Sequence, residues 1–145
     1  MTGWLLDTNI LSAFAPGKPA IGPTIAGWFN ERSDELFLSA TTAAEIEAGI
    51  SKARRAGSGR RADELRAWFE RMLSFYADRV LPFDLAAARI AGALSDAALA
   101  YGRHPGFADV AIAAIAKAQG LVILTLNLRH FDPLGVDTVN PFNPA

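Results

Sequence analysis

Short runs of apolar residues alternate along this chain with longer segments in which apolar side chains recur at every third or fourth position. The short runs are typical of buried β-strands, and the longer segments are typical of helices with one apolar face. The pattern predicts strands at residues 4–6, 36–38, 80–83 and 121–124, and a weak last strand at 138–139.

Helical segments separate these strands. Two helices are predicted to begin near Asn9 and near Thr24, and a third to run from possible caps at 39–42 to Ala56. Two more are predicted at 85–101 and 109–119, and Gly120 is a C-cap candidate for the last of them. Because continuous apolar strands alternate with helices, we expect a mostly parallel sheet of four to five strands with both faces covered. The clearest apolar face comes after a turn at 57–59 and contains Leu65, Trp68, Phe69, Met72, Leu73 and Tyr76.

Composition narrows the class of protein. The 145 residues with 51% hydrophobic content fit one compact domain over residues 1–145. A formal net charge of -1 excludes a strongly basic body, so a polyanionic partner needs a local patch or a metal ion. The absence of cysteine excludes disulfides and thiolate chemistry, and it favours the cytosol. No apolar run approaches the ~20 residues of a membrane span.

Three acids and one amide stand at comparable positions around the predicted strands. Asp7 follows the first strand, and Glu45 lies in the first turns of the helix after the second. Asp109 opens the helix that leads into the fourth strand, and Asn127 follows that strand. Ligand sites of open α/β sheets lie beyond the carboxyl ends of the strands. We therefore expect these four side chains to converge at one edge.

Each residue also has a purely structural interpretation. Asp7 or Thr8 is a candidate helix cap, residues 42–45 match the capping box S/T-x-x-E, and Asp109 favours a helix N-terminus by its charge. Asn127 alone is most often a turn residue. Caps are worth about 1 kcal/mol each, whereas two carboxylates ~5 Å apart repel by ~3 kcal/mol at an effective dielectric of about 20. Clustered acids therefore need a cation.

The type of cation and of reaction follows from the ligands. Oxygen ligands without cysteine or a paired-histidine motif favour Mg²⁺ or Mn²⁺ over zinc. Mg²⁺ usually combines one or two carboxylates with water and substrate phosphate, so the acids indicate a phosphate ester substrate and hydrolysis.

Six segments of the sequence carry a recognisable pattern: L-L-D-T-N-I-L at 5–11, T-T-A-A-E-I-E-A-G-I at 41–50, V-L-P-F-D at 80–84, F-A-D-V-A-I-A-A-I-A at 107–116, I-L-T-L-N-L-R-H-F at 123–131 and V-N-P-F at 139–142. In these segments the sequence resembles the PIN-domain family, and within it the VapC and FitB-like toxins of bacterial toxin–antitoxin pairs. The resemblance runs from the first strand almost to the end of the chain.

The resemblance implies a PIN-like three-layer α/β/α sandwich and a cytoplasmic, Mg²⁺- or Mn²⁺-dependent endoribonuclease toxin. Such a toxin leaves a 5′ phosphate and a 3′ hydroxyl, and a small VapB-like antitoxin inhibits it. A homodimer is expected, with operator DNA contacted only through the antitoxin and with no membrane partner.

The resemblance also assigns roles to residues. Asp7, Glu45 and Asp109 match the metal-binding acids, with Asp7 and Asp109 as direct ligands, and Glu45 binds metal or deprotonates the attacking water. Thr8 and Asn9 match groups that orient the first acid. Thr125 and Asn127 fall where the family often has Thr-x-Asp, so an amide replaces the fourth acid.

That replacement leaves the pocket with about one negative charge less. A second metal would therefore be held weakly, and we favour one metal. Asn127 still accepts through its carbonyl or donates to a phosphate oxygen, and nearby Asp132 is an alternative source of the missing charge. Two rival functions remain open: a phosphohydrolase with an aspartyl nucleophile at Asp7, and a catalytically silent PIN module that acts by binding.

Other residues are candidates for contacts with RNA or antitoxin. Lys52, Arg54 and Arg55, with Arg60 and Arg61, form either a solvated helix end or a surface for RNA phosphates. Arg129, His104 and His130 are candidate phosphate contacts. The aromatic stripe of Trp68, Phe69 and Tyr76 is most simply core, yet we predict that the helices from 42 to 76 form much of the antitoxin groove.

Overall fold

The computed structural model describes residues 3–143, in which five short strands form one sheet. The strand order is β3-β2-β1-β4-β5, and all four pairings are parallel. The predicted mostly parallel sheet is therefore confirmed, with β1 at its centre. The strands are β1 (Trp4–Leu6), β2 (Leu36–Ser39), β3 (Val80–Leu81), β4 (Val122–Leu124) and β5 (Thr138–Val139).

Helices connect every pair of successive strands. Within residues 3–143, no helix is long and apolar enough to cross a membrane. The helices are α1 (Thr8–Ser12), α2 (Pro23–Glu31), α3 (Ala40–Arg55), α4 (Gly59–Tyr76), α5 (Leu85–Ala100), α6 (Phe107–Gln119) and α7 (Leu128–Phe131).

The helices form a layer on each face of the sheet. Successive strand residues point to opposite faces, so Leu5 packs in one core and Leu6 in the other. The Leu5 core contains buried residues of α5 and α6, and the Leu6 core contains buried residues of α1 to α4. Both leucines are at most 1% exposed. The predicted three-layer arrangement is therefore confirmed.

The aromatic stripe on α4 belongs largely to the core. Trp68 and Tyr76 are 5% exposed and Phe69 is fully buried, whereas Phe75 beside them is 53% exposed. The stripe therefore holds α4 against the sheet, and Phe75 is left on the outside of the helix.

The structure corrects several predicted helix and strand ends. Ser39, not Thr42, caps α3, because the Ser39 Oγ accepts a hydrogen bond from the Thr42 backbone N–H at 3.0 Å. The capping box predicted at 42–45 is therefore wrong. Strand β3 has only two residues, and Pro82, which has no N–H for a further ladder bond, follows it. Helix α6 begins two residues before Asp109, and Gly120 closes it at φ 68° as expected. The sequence pattern did not predict α7.

Candidate functional site

The centre of the site lies where β1 and β4 end side by side. Leu6 pairs with Leu124 in the sheet register, so the next residues, Asp7 and Thr125, are neighbours. The Asp7 backbone N–H donates to the Leu124 carbonyl at 2.8 Å, which continues the ladder by one bond. Two short apolar strands thus bring an acid and a hydroxyl together from distant parts of the chain.

The Asp7 carboxylate is buried and held by neutral donors. It is 6% exposed, and the Thr125 hydroxyl, itself fully buried, donates to Oδ2 at 2.8 Å. The Thr8 backbone N–H donates to Oδ1 at 2.8 Å, so Asp7 also occupies the N-cap position of α1. A carboxylate has about four lone-pair positions, so these two bonds leave room for a cation on the same oxygens.

A chain of hydroxyl groups connects the end of β2 to the second acid. The Thr8 hydroxyl donates to Glu45 Oε1 at 2.5 Å, so its one proton is used there. Thr42 must therefore be the donor in its 2.9 Å bond with Thr8, while Ser39 donates to Thr42 at 3.2 Å. The three hydroxyl protons are therefore directed along the chain from Ser39 towards Glu45. Thr8 thus holds Asp7 through its backbone and Glu45 through its side chain.

The third acid comes from the other helical layer. Asp109 lies in the first turn of α6, and its side chain is 25% exposed. The His130 Nδ1 on α7 lies 3.4 Å from Asp109 Oδ2. This contact supplies a polar neighbour on one side of Asp109 and leaves the carboxylate without an arginine or lysine partner within the described chain.

The electrostatics show that these acids interact with one another. Burial raises the pKa of the Asp7 carboxyl above its ordinary value; the hydrogen bonds from Thr125 and Thr8 oppose this, and the charges of Asp109 and Glu45 add to it. Burial also raises the pKa of Asp109, where His130 opposes the rise and Glu45 increases it. Ionisation of Asp7 and Asp109 is therefore less favourable than in water, and a positive charge in the pocket would offset this difference.

Two amides surround the same strand ends. Asn9 Oδ1 accepts from the Leu126 backbone N–H at 3.2 Å, and Asn9 Nδ2 is 3.5 Å from the Thr125 hydroxyl. The Asn127 backbone N–H donates to that hydroxyl at 2.9 Å. The exposed Asn127 side chain makes no hydrogen bond with any residue in 3–143. Its amide is therefore available to a ligand.

The donor set has the chemistry of a divalent-cation site but is not a closed cage. Asp7 and Asp109 offer hard oxygen atoms, and burial together with the neighbouring acids raises the pKa of both carboxyls. Within residues 3–143, no three acidic or histidine side chains stand close enough to enclose a metal ion by themselves. This arrangement fits a divalent cation bound by one or two carboxylates, with water or substrate in the remaining positions.

The other candidate residues lie at different distances from the acids. Lys52, Arg54 and Arg55 occupy the last turn of α3, and Arg55 follows Glu45 by ten residues, about 15 Å along the helix axis. Arg54 is bound to Asp63 at 2.9 Å. Arg129, in contrast, lines a cavity together with Asp109. Exposed Asp132 is not among the charges that raise the pKa of Asp7 or Asp109.

Sequence reasoning missed the hydroxyl chain and the contact between His130 and Asp109. One signal was present, because Thr42 lies three residues before Glu45 and therefore on the same helix face. The contact between His130 and Asp109 depends on the direction that α7 takes after β4. Helix α7 has only four residues, too few for a periodic sequence pattern to predict that direction.

Comparisons with known proteins agree with this architecture. The PIN domain family matches residues 4–134. The chain is 37% identical over 142 residues to VapC ribonuclease Y4jK of Sinorhizobium fredii, which covers 97% of this chain and 99% of that relative. It is 30% identical over 141 residues to Toxin FitB of Neisseria gonorrhoeae, with 96% and 98% of the two chains covered.

A solved structure has the same fold. The crystal structure of FitAcB from Neisseria gonorrhoeae superposes with a TM-score of 0.83 at 30% sequence identity. The match covers 97% of this chain and 99% of the other. The sheet order and both helical layers are therefore shared over nearly the full length.

The raised pKa of Asp7 leads to a prediction about stability. An acid whose pKa is raised by folding stabilises the fold below its ordinary value of 3.8, and that contribution is lost as the pH rises through the raised pKa. In metal-free protein at pH 7, Asp7→Asn should therefore raise the free energy of unfolding by about 1 kcal/mol. The melting temperature in EDTA should rise by about 3–5 °C.

The gain from Asp7→Asn should shrink towards zero below pH of about 4, where the native carboxyl is neutral. Asp34→Asn, at an exposed acid outside the site, is the matched control and should change stability by less than about 0.5 kcal/mol. A lower melting temperature for Asp7→Asn at pH 7 would show that the bonds from Thr8 and Thr125 outweigh the burial and repulsion.

Proposed function

Because this chain belongs to the PIN domain family, we propose that it is a divalent-metal-dependent endoribonuclease and the toxin of a toxin–antitoxin pair. The observation that carries the proposal is the buried Asp7 carboxylate, which lies at the same edge of the sheet as Asp109 and Glu45. No lysine or arginine in residues 3–143 forms an ion pair with Asp7. The toxin and ribonuclease functions named for its relatives apply to this chain because the match extends over nearly its whole length.

Asp7 and Asp109 would hold the metal ion, which is Mg²⁺ or Mn²⁺ by the chemistry of the oxygen ligands. When bound, such an ion supplies Lewis-acid chemistry for phosphodiester hydrolysis. Thr125 and Thr8 fix the orientation of Asp7, and Asn9 in turn fixes the loop that carries Leu126. These neighbours keep the carboxylate in one position before any ligand arrives.

Glu45 would bind the metal or deprotonate the attacking water, and we favour the second role. The Thr8 hydroxyl binds one of its oxygens, while the residue is exposed to solvent and its other oxygen accepts no hydrogen bond from residues 3–143. Hydrolysis then adds water across the P–O3′ bond. The water oxygen joins phosphorus, its proton passes to Glu45 and from there to solvent, and the leaving O3′ takes up a proton from solvent, which gives a 5′ phosphate and a 3′ hydroxyl. Asn127 would donate its amide N–H to a phosphate oxygen.

The rival phosphohydrolase mechanism lacks a second acid beside its nucleophile. In a D-x-D motif that acid lies two residues after the nucleophilic aspartate, whereas Asn9 stands at that position here and its Oδ1 accepts from the Leu126 backbone N–H. We further infer that the protein works in the cytoplasm, where RNA substrates are present.

An apolar groove on the other helical layer is the proposed antitoxin site. The groove has a volume of about 410 Å³ and lies between α1, α2 and α4. None of the described residues that line it belongs to α3, so the groove is narrower than the predicted 42–76 surface. Exposed Phe75 and the charge of Arg71 at its wall suit a segment with apolar and acidic side chains. Its wall also includes Phe14, Phe29, Trp68, Met72 and Tyr76.

The remaining partners follow from the same proposal. The net charge of -1 gives this chain little general affinity for DNA, so contact with operator DNA is assigned to the antitoxin. A homodimer would cover the apolar side chains that α5 and its end expose. Leu85 is 74% exposed, Leu99 49% and Tyr101 86%.

Removal of Asp7 tests the proposed catalytic function. Purified protein, freed of any partner, should cleave total bacterial RNA in Mg²⁺ or Mn²⁺ and should not cleave it in EDTA. Asp7→Asn should lower the rate by more than about 100-fold, because the metal loses a direct ligand. Gel analysis of 5′-labelled products measures both the rate and the end groups, and Asp34→Asn is the matched control.

Two outcomes would contradict the catalytic proposal. Cleavage that persists in EDTA and in Asp7→Asn would show that the acids do not carry the reaction. No cleavage by the native chain under any of these metals would favour the silent PIN module, in which the fold acts only by binding.

A second prediction concerns the amide at position 127. Asn127→Asp restores a fourth carboxylate near the metal, and one charge in this setting is worth about 1.4 kcal/mol, or tenfold in affinity. The Mn²⁺ concentration that gives half-maximal cleavage should therefore fall about tenfold. Asn143→Asp, which adds the same charge at an exposed position elsewhere, should leave it unchanged. An equal fall in both variants would mean that the effect is nonspecific.

The groove leads to a third prediction, which concerns the antitoxin. Phe75→Glu puts a charge at the groove while removing little buried surface, since Phe75 is 53% exposed. Affinity for the small protein encoded beside this chain should fall at least about 30-fold, as expected for a hot-spot aromatic. RNA cleavage by the free protein should not change. Tyr101→Glu at the end of α5 is the control, and an equal loss in that variant would reject the groove as the binding site.

A further inference from the structure

A small cavity adjoins the site on the side of Asp109. Its volume is about 290 Å³, and Asp109 itself forms part of the wall. One side comes from the loop between α5 and α6, and the other from α7 and the turn after it. We call the group Arg103, His104, Arg129 and His130 the basic cavity.

The two arginines of the basic cavity have no structural task in the described chain. Neither Arg103 nor Arg129 forms an ion pair or donates a side-chain hydrogen bond to any residue in 3–143. Six other arginines do have such partners: Arg32, Arg61 and Arg79 donate to backbone carbonyls, and Arg54, Arg60 and Arg66 bind carboxylates. Arg55, Arg71 and Arg89 are also unpaired in residues 3–143, but none of them lines a cavity together with one of the three acids.

The charge balance of the basic cavity favours an anion. Two guanidinium groups that are always charged face a single carboxylate, Asp109, which already has His130 Nδ1 at 3.4 Å. Each neutral or charged histidine adds at least one N–H donor. A guanidinium presents its donors as a planar fork that matches two oxygens of a phosphate. The cavity therefore suits a ligand with several anionic oxygens.

The size of the basic cavity limits the ligand further. At about 290 Å³, the cavity lies at the small end of the range for ligand sites and has room for a phosphate with its sugar. A backbone phosphate of a longer strand, whose bases stay outside, does fit.

We infer that the basic cavity binds the RNA phosphate next to the scissile one. This inference rests on the proposed ribonuclease function, because Asp109 is shared between the cavity and the acidic site. Arg103 and Arg129 are positioning residues: they hold the neighbouring phosphate, and this sets which phosphodiester lies beside Asp7 and Asp109. Arg103 lies in the loop between α5 and α6, and Arg129 lies in α7. The RNA strand therefore contacts both arginines only when it crosses both segments.

The cations at the end of α3 are the competing location for this contact. Arg55 lies about 15 Å from Glu45 along the helix, and Arg54 is bound to Asp63. Arg55 is therefore too far along α3 to hold the phosphate next to the scissile bond. Lys52 and Arg55 form the matched comparison, since their removal takes away the same charge.

The test compares Arg103→Gln/Arg129→Gln with Lys52→Gln/Arg55→Gln. Both pairs are placed in the Asp7→Asn protein, and a labelled single-stranded RNA of about 12 mixed nucleotides is titrated by fluorescence anisotropy at several salt concentrations. Each phosphate contact in single strands contributes about 0.7 to the slope of log K against log salt. Loss of the cavity pair should reduce that slope by about 0.7 and the affinity by about tenfold. Loss of the α3 pair should change neither.

Kinetics in the otherwise native protein supply a readout that a merely structural role would not move. Arg103→Gln/Arg129→Gln should raise KM about tenfold while kcat stays within about threefold of the native value. The Mn²⁺ concentration for half-maximal activity should not change. An unchanged slope for the cavity pair, or an equal loss from the α3 pair, overturns the inference. So does a parent protein without measurable RNA affinity.

The two proposals fail in different ways. If Arg103→Gln/Arg129→Gln weakens RNA binding but the native protein never cleaves RNA, the basic cavity is supported as an RNA site and the ribonuclease function is rejected. If the native protein cleaves RNA but the double variant binds RNA as tightly as its parent, the ribonuclease function is supported and the basic cavity is rejected.

Discussion

The hydrogen bond from Thr125 to Asp7 is the contact on which the rest of the site depends. It joins the ends of β1 and β4, the two strands whose last two residues are at most 1% exposed. A shift of either strand by one residue would turn its buried side chains to the other face and separate this pair. The packing of both cores therefore sets the position of the acid, and the surrounding groups are arranged around it.

The arrangement around Asp7 lowers the stability of the metal-free fold and prepares the site to bind a cation. The fold removes Asp7 from water and places two further acids near it, which disfavours the ionised carboxyl. Two hydrogen bonds from neutral donors offset part of that cost but supply no positive charge. A site that is destabilised when empty binds a cation more strongly, because the cation relieves repulsion already present in the fold.

How far the sequence predicts this site depends on the kind of signal. The strands and Asp7 were predictable because a short apolar run with a polar residue directly behind it is characteristic of a buried strand that ends at a sheet edge. The cap of α3 was not, since Ser39 and Thr42 are equally good cap residues and only the register to Thr8 selects between them. Helix α7 and the basic cavity depend on connections without periodicity, where a single sequence says little about which side chains meet.

The two helical layers divide the proposed interactions between them. The basic cavity belongs to the layer of α5 and α6, and the apolar groove belongs to the layer of α1, α2 and α4. Helix α1 connects the groove to the acids, because it starts behind Asp7 and its Leu11, one turn further, lines the groove. One turn is about 5.4 Å. A segment seated in the groove would therefore contact the same short helix whose first turn is capped by Asp7.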